Sequence, residues 1–322
     1  MRQSFFTLGF VLAIVTAFIP GSLYGKDGPA QPAELSLTLD QPSYEVGQTI
    51  TLEVQLANTS QSDLNYLALD LDRQSVSFSV QVNEGQSGTW TRIHGEWEFE
   101  GAPVFKPQSF EKLVLNPGNK DNFSIQVPAL TAGAWNWQAS YNGLDGMVLS
   151  SAKVAVEVKP AGDASQALVK LATNQGDILV QLLVEETPGT ALNFANAVLE
   201  HKYDGLIFHR VIPNFMIQGG DPLGTGEGGP GYYIPFETPK SKHTPGVLSM
   251  ARMGHSKDTG GSQFFLMHAA YPSLDGEYCA FGKTVSGQEV INAIATTKTE
   301  PGDRPVQRQA IDTATIQVGA GK

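Results

Sequence analysis

From Glu34 to Val158 the chain keeps a two-residue period, and that period restricts the fold more than any other feature. Leu35, Leu37 and Leu39 alternate with Ser and Thr. Ile50, Leu52, Val54 and Leu56 alternate with Thr, Glu and Gln, and Val76, Phe78, Val80 and Val82 repeat the pattern. Phe123, Ile125 and Val127 follow it, as do Val154, Val156 and Val158. Successive side chains of a strand point to opposite faces, so each run has one apolar and one polar face. Turn residues such as Tyr44-Glu45-Val46-Gly47 and Asn116-Pro117-Gly118-Asn119 divide the runs. Short alternating strands separated by turns predict an antiparallel β-sandwich over residues 34–158.

All four tryptophans (Trp90, Trp97, Trp135 and Trp137) fall in this half. Trp135 and Trp137 lie two apart and share one strand face. They serve either as core packing, the usual place for large aromatics in sandwiches, or as a platform for a sugar or peptide. With no cysteine pair, the pattern supports only the broad description immunoglobulin-like. Cys279 is the single cysteine of the chain, so no intramolecular disulfide forms. It reads as a small buried hydrophobe beside Ala280 and Phe281.

Residues 1–25 have the pattern of a secretory signal. Arg2 is followed by an uncharged apolar run from Phe5 to Ile19, then by Pro20-Gly21 and the small residue Gly25. The run is short for a membrane span, so no stable membrane insertion is expected once the signal is cleaved. Export without disulfides fits a bacterial periplasm or cell envelope, or an extracellular setting. Residues 26–33 form a polar spacer. The 322 residues carry a net charge of −11, from 21 basic and 32 acidic side chains. With no Lys/Arg cluster, that balance argues against a nucleic-acid partner.

The texture changes after the Pro/Gly-containing linker at 159–166. Over 167–319 strands and helices mix. Leu168–Ala172 and Ile178–Leu183 flank the hairpin turn Asn174-Gln175-Gly176-Asp177. Thr187-Pro188 opens an amphipathic helix through Ala191, Leu192, Ala195, Val198 and Leu199. Strands are expected over Val247–Met253, Ser262–Met267 and Ala310–Val318. Ser286 and Glu289 form a capping box ahead of a second helix. About eight strands and two helices predict a β-barrel plugged by helices at its ends.

Within it lies Phe208-His209-Arg210-Val211-Ile212-Pro213-Asn214-Phe215-Met216-Ile217-Gln218-Gly219-Gly220-Asp221. Alternation puts Phe208, Arg210 and Ile212 on one strand face and His209 and Val211 on the other. A guanidinium is permanently charged and offers several donors in a rigid fork. Among apolar side chains it serves a function or pairs with an acid such as Asp221 or Glu237. The glycine-rich loop 222–233 lacks the Lys-Ser/Thr pair of a phosphate loop. His201, His209, His243, His255 and His268 lack metal-ligand spacing, so no metal or cofactor is expected. Ser262 lacks a nucleophile-elbow context.

Residues 167–318 resemble the cyclophilins, the peptidyl-prolyl cis/trans isomerases. The likeness rests on the stretch above and on Gly246-Val247-Leu248-Ser249-Met250-Ala251, Gly261-Ser262-Gln263-Phe264-Phe265, Leu274-Asp275-Gly276 and Phe281-Gly282-Lys283, in the family's order. It implies an eight-stranded antiparallel barrel with two capping helices, acting on proline-containing polypeptides. It implies Arg210 as catalytic residue, assisted by Gln218. Substrate contacts fall to His209, Phe215, Met216, Ala251, Arg252 (through its backbone), Gln263, Phe265, Leu274 and Tyr278. Ser273 stands where many relatives have Trp, and Tyr278 where they have His. The lost indole implies weak cyclosporin binding. The expected function is isomerisation that assists folding of exported proteins. The alternatives are a non-catalytic proline-peptide module targeted by the sandwich and a carbohydrate-binding or structural envelope protein. The sandwich's own partner is not legible.

Overall fold

The computed structural model describes residues 32–69, 75–92, 96–98, 104–106 and 112–318, so the signal at 1–25 lies outside the described residues. Thirteen strands build the N-terminal half: β1 (Ala33–Leu39), β2 (Ser43–Glu45), β3 (Thr49–Asn58), β4 (Leu64–Leu67), β5 (Val76–Val82), β6 (Gly88–Trp90), β7 (Glu96–Glu98), β8 (Val104–Lys106), β9 (Lys112–Leu115), β10 (Lys120–Pro128), β11 (Gly133–Asn142), β12 (Val148–Ser150) and β13 (Val154–Lys159). A three-stranded sheet β1-β3-β10 faces a larger sheet β2-β13-β11-β5-β6, with β12 on β11 and the pairs β4-β9 and β7-β8 beside them. The alternating apolar residues of both sheets point inward, as the period requires. Trp135 and Trp137 are fully buried and stacked 5.8 Å apart, and Trp135 Nε1 donates to the Thr131 carbonyl at 2.9 Å. They are core, not a binding platform.

The C-terminal half comprises β14 (Ala167–Thr173), β15 (Gly176–Leu182), α1 (Pro188–Leu199), β16 (Arg210–Ile212), β17 (Met216–Gly219), β18 (Val247–Met250), β19 (Phe264–Met267), β20 (Ala280–Ser286), α2 (Gln288–Ala295) and β21 (Ile311–Val318). Eight strands form one antiparallel sheet ordered β16-β17-β19-β18-β20-β15-β14-β21. A bridge between Ile207 and Ala310, just ahead of the two edge strands, brings those edges together. The mainly β architecture with two helices is the expected one. No described helix is long and apolar enough to cross a membrane.

Helix α1 departs from its expected amphipathic setting, because every residue from Pro188 to Val198 is buried. One side meets barrel aromatics: Phe194 lies 4.9 Å from Tyr203, 5.3 Å from Phe264 and 5.2 Å from Phe281. The other side meets the sandwich, where Asn196 Nδ2 donates to the Gln126 carbonyl at 3.2 Å. The polar side chains of the helix turn inward: Asn193 Nδ2 donates to the Gly261 carbonyl at 2.8 Å, and Asn196 Oδ1 is buried with no hydrogen-bond partner among the described residues. Thr187 makes no side-chain cap bond. Glu237, buried and distant in sequence, caps the helix instead. It accepts the N–H groups of Gly189 (3.0 Å) and Thr190 (2.7 Å) and the Thr190 hydroxyl (2.7 Å). Burial nevertheless pushes its carboxyl above the usual range. The capping box at Ser286 is not formed either. The strand β20 runs through Ser286, and α2 starts after Gly287, which is left-handed at φ 96°.

The apolar core is continuous across the seam between the halves, and polar bonds cross it as well. Gln86 N–H donates to the Glu185 carbonyl (2.7 Å), Asn83 Nδ2 to Glu185 Oε1 (2.6 Å) and Arg92 to Glu200 (3.1 Å). The linker 159–166 is itself tied down by the bridges Ala161–Ala164 and Thr131–Gln166. At Gly189 an added Cβ would run into the Thr89 backbone carbonyl. Helix propensity alone favours Gly189→Ala by about 1 kcal/mol. The clash is with backbone that cannot rotate away, and overpacking of that kind costs about 1–3 kcal/mol. Gly189→Ala therefore lowers the urea midpoint, and a raised midpoint would show the seam to be loose.

Candidate active site

The site is laid out by strand register. Arg210 on β16 pairs with Gln218 on β17, Gln218 with Phe265 on β19, and Phe265 with Ser249 on β18. Directly paired residues share a face, so these four side chains form one row on the outer face of the sheet. The next residues, Val211, Ile217, Leu266 and Leu248, form the matching inner row and are all fully buried. The outer face carries its own apolar cluster, separate from the main core: Met216, Val247, Phe265, Met267 and Ala280, flanked by Ile212, Phe215, Ala251, Leu274 and Tyr278. The row and this cluster bring together Arg210, Gln218, Phe215, Met216, Ala251, Phe265, Leu274 and Tyr278.

Two residues of the same stretch lie elsewhere. Phe208 was expected beside Arg210 but belongs to the core, 6.4 Å from Phe264, because the regular strand begins only at Arg210. His209 is buried on the side of the glycine loop near Gly226, away from the apolar cluster, and neither ring nitrogen has a partner among the described residues. Burial, followed by Arg304 and Arg210, pulls its imidazole below the usual value against the opposing pull of Asp221.

Arg210 pairs with neither Asp221 nor Glu237. Its Nε donates to Asp303 Oδ2 at 3.3 Å, and its side chain stays 44% exposed. Gln218 Nε2 donates to Gln263 Oε1 (2.9 Å), and Gln263 Nε2 donates to the carbonyls of Gly226 (2.9 Å) and Gly228 (2.7 Å). The two glutamines thus couple the row to the glycine loop. Asp221 organises that loop by accepting N–H groups from Leu223 (2.8 Å), Thr225 (2.9 Å) and Gly226 (2.5 Å). Burial opposes its ionisation, but the backbone donors outweigh burial and hold the carboxyl below the usual range. The glycines here serve a tight loop.

At the rim, Tyr278 meets Phe265 edge-on at 5.6 Å, and the Arg252 guanidinium lies 4.6 Å over the Tyr278 ring. Arg252 is tethered there by the carbonyls of Glu277 and Met253, each at 3.0 Å. On another edge the Tyr271 ring packs against Phe215, tilted, at 4.6 Å. Ser273 is exposed in a short turn, Pro272–Leu274.

Beneath the floor lies a chain of contacts that the sequence did not reveal. His243 bonds Asp275 Oδ1 through Nδ1 at 3.0 Å and Ser249 Oγ through Nε2 at 2.9 Å, and its ring stacks on Phe265 at 6.0 Å. The order Ser–His–Asp is that of a hydrolase triad, but Ser249 and His243 are shut off from solvent and no carbonyl could reach the hydroxyl. The chain fixes the Phe265 ring and the turn carrying Leu274 and Tyr278. Asp275 and Ser249 lay inside the Leu274-Asp275-Gly276 and Gly246–Ala251 blocks, but nothing in the sequence joined either of them to His243.

Burial lowers the His243 imidazole more than Asp275 raises it. Two histidines, His209 and His243, therefore bind protons less readily folded than unfolded. The unfolded chain takes up these protons as pH falls through about 6.5, so their contribution is full above that value and is lost below it. Glu237, whose carboxyl is raised, acts with the opposite sign. The clean readout is thus a difference: the stability of His209→Leu, measured by urea unfolding at pH 7 and 5.5, falls less than that of the parent chain. Equal falls would remove His209 from the balance.

Comparison with known proteins places the C-terminal half in a family. Residues 168–316 match the family described as cyclophilin type peptidyl-prolyl cis-trans isomerase. A peptidyl-prolyl cis-trans isomerase of Arabidopsis thaliana is 46% identical over 153 residues, covering 46% of this chain and 94% of that protein. Isomerase B of Bacillus subtilis is 55% identical over 111 residues, covering 34% and 76%. A longer isomerase-like protein of Cryptococcus neoformans is 43% identical over 160 residues, but the match spans only 28% of its length against 47% of this chain. The sandwich lies outside the matched family region. Through its C-terminal barrel the chain belongs to the cyclophilin family.

Proposed function

We propose that the barrel isomerises X-Pro peptide bonds, with Arg210 as the catalytic residue. The observation that carries this reading is the register that sets an exposed guanidinium at the edge of an apolar cluster detached from the core. The family membership supports it. The peptide C–N bond resists rotation by about 18–20 kcal/mol, and uncatalysed X-Pro exchange takes tens of seconds or more. No covalent bond need form or break. In the twisted amide the nitrogen becomes pyramidal and regains its lone pair. A fixed N–H donor aimed at that nitrogen stabilises the twisted state more than either planar state.

In this reading the proline ring rests on Met216 and Phe265, between Phe215 and Leu274, with Tyr278 as a wall. The apolar floor excludes water and strengthens the donor. Gln218 keeps one N–H and its carbonyl oxygen for the substrate backbone, which also meets the main-chain groups at Ala251 and Arg252. Gln263 holds Gln218 in place from the glycine loop. Arg252's own side chain is already committed to Tyr278. The apolar run before residue 20 supports export, and with it a role in folding proteins outside the cytoplasm.

A protease-coupled assay on an X-Pro peptide tests the activity. Arg210→Ala lowers kcat/KM by about a hundredfold or more. Its thermal midpoint stays put, because exposed pairs contribute little to stability. Unchanged decay of the cis population at micromolar enzyme would leave a proline-peptide binding module instead. Cyclosporin inhibits weakly, since Ser273 offers no indole; nanomolar inhibition would contradict that.

A further inference from the structure

We propose that Asp303 is the positioning residue for the Arg210 guanidinium. The inference rests on the isomerase reading of Arg210. Gln218 could hold a guanidinium only through its carbonyl oxygen, and among the described residues that oxygen accepts no bond from Arg210 while the amide N–H goes to Gln263. The group that does hold Arg210 is the Asp303 carboxylate, at Nε. A guanidinium is a rigid plane with five N–H donors. Fixing Nε–H on one edge settles the direction of the plane and leaves the Nη groups to face a substrate.

The carboxylate is itself held in place. Asp303 lies in a turn closed by the bridge Thr299–Pro305 and by the bonds from Asp303 N–H to the Glu300 carbonyl (3.1 Å) and from Glu300 N–H to the Arg304 carbonyl (2.8 Å). Its own carbonyl accepts the N–H of Val211 at 2.8 Å, so the turn is fastened to β16 at the residue after Arg210. Arg304 fastens the other side, donating Nη1 to the Gly224 carbonyl at 3.0 Å. Asp303 adopts φ 65°, a left-handed conformation that aspartate tolerates better than most residues. An observed outlier beside a reacting group is grounds for a functional hypothesis. The sequence shows none of this, because Asp303 lies 92 positions after Val211.

Two effects of the carboxylate oppose each other. As an acceptor it aims the guanidinium, and as an anion it weakens the guanidinium as a donor. Small misplacements of catalytic groups cost large factors in rate, so aim wins here. The test uses the full-length protein with three variants. Asp303→Gly removes the carboxylate and suits the positive φ, and Asp303→Asn keeps an acceptor oxygen in place. We expect Asp303→Gly to lower kcat by about tenfold, with KM and thermal midpoint unchanged, and Asp303→Asn to recover most of the loss. A kcat equal to or above the parent's overturns the proposal, as does a loss confined to KM or midpoint. So does an Asn variant as slow as the Gly variant. Arg210→Ala separates the levels. If it stays active, the reading of Arg210 fails; if it is inactive while Asp303→Gly matches the parent, only the role of Asp303 fails.

Discussion

The register of β16, β17, β19 and β18 carries the rest of the barrel's outer face. Along these strands alternate residues go to opposite sides, so the inner row Val211–Ile217–Leu266–Leu248 dictates where Arg210, Gln218, Phe265 and Ser249 must lie. Full burial of each inner side chain is worth about 1.5–3 kcal/mol. A slip of one residue would exchange the rows and drive the guanidinium into the core. The apolar core therefore sets the direction of the proposed catalytic group without touching it. Pro213 and Asn214, the latter left-handed at φ 62°, make the reversal that keeps β16 and β17 in this register.

The same core runs past the barrel. Helix α1 is buried on both sides, by the barrel's aromatics and by the sandwich, so its composition answers to two neighbours at once. That is why it carries Thr190, Asn193 and Asn196 where a surface helix would carry charge. It is also why its N-terminus is capped by Glu237 across the chain rather than by Thr187. A carboxylate at that end suits the exposed N–H groups and the helix dipole. Burial works against it, and the net upward push on its carboxyl shows that desolvation outweighs the three donors.

Much of this was legible in the sequence, for identifiable reasons. The sandwich strands, the β14–β15 hairpin and the gathering of Phe215, Met216 and Phe265 into one apolar cluster depend on local period or contiguous motifs, which the chain displays openly. What failed depended on partners distant in sequence. Asp303 displaced Asp221 and Glu237 as the partner of Arg210, because only the folded chain brings the turn at 299–305 to β16. The His243–Asp275–Ser249 chain was hidden among scattered histidines for the same reason. Phe208 and Ser286 were misplaced by extending a local pattern one step past the point where the backbone changes conformation. The amphipathic reading of α1 assumed solvent where the sandwich stands.

These two classes of residue divide the proposed site in a way that bears on its chemistry. The floor is built from side chains locked by register and braced from below by His243, and it has little freedom to differ while the barrel keeps its core. The rim is held by contacts among the rim residues themselves: Arg252 over Tyr278, Tyr271 against Phe215, and Ser273 in an exposed turn. Such contacts can change without disturbing the inner row. A requirement common to every X-Pro bond, an apolar seat and one aimed donor, falls on the rigid part. Discrimination among flanking residues falls on the adjustable part, where this chain departs from the commoner family pattern. Arg210 stands at the boundary, its backbone in the rigid sheet and its guanidinium aimed by a turn that the sheet does not contain.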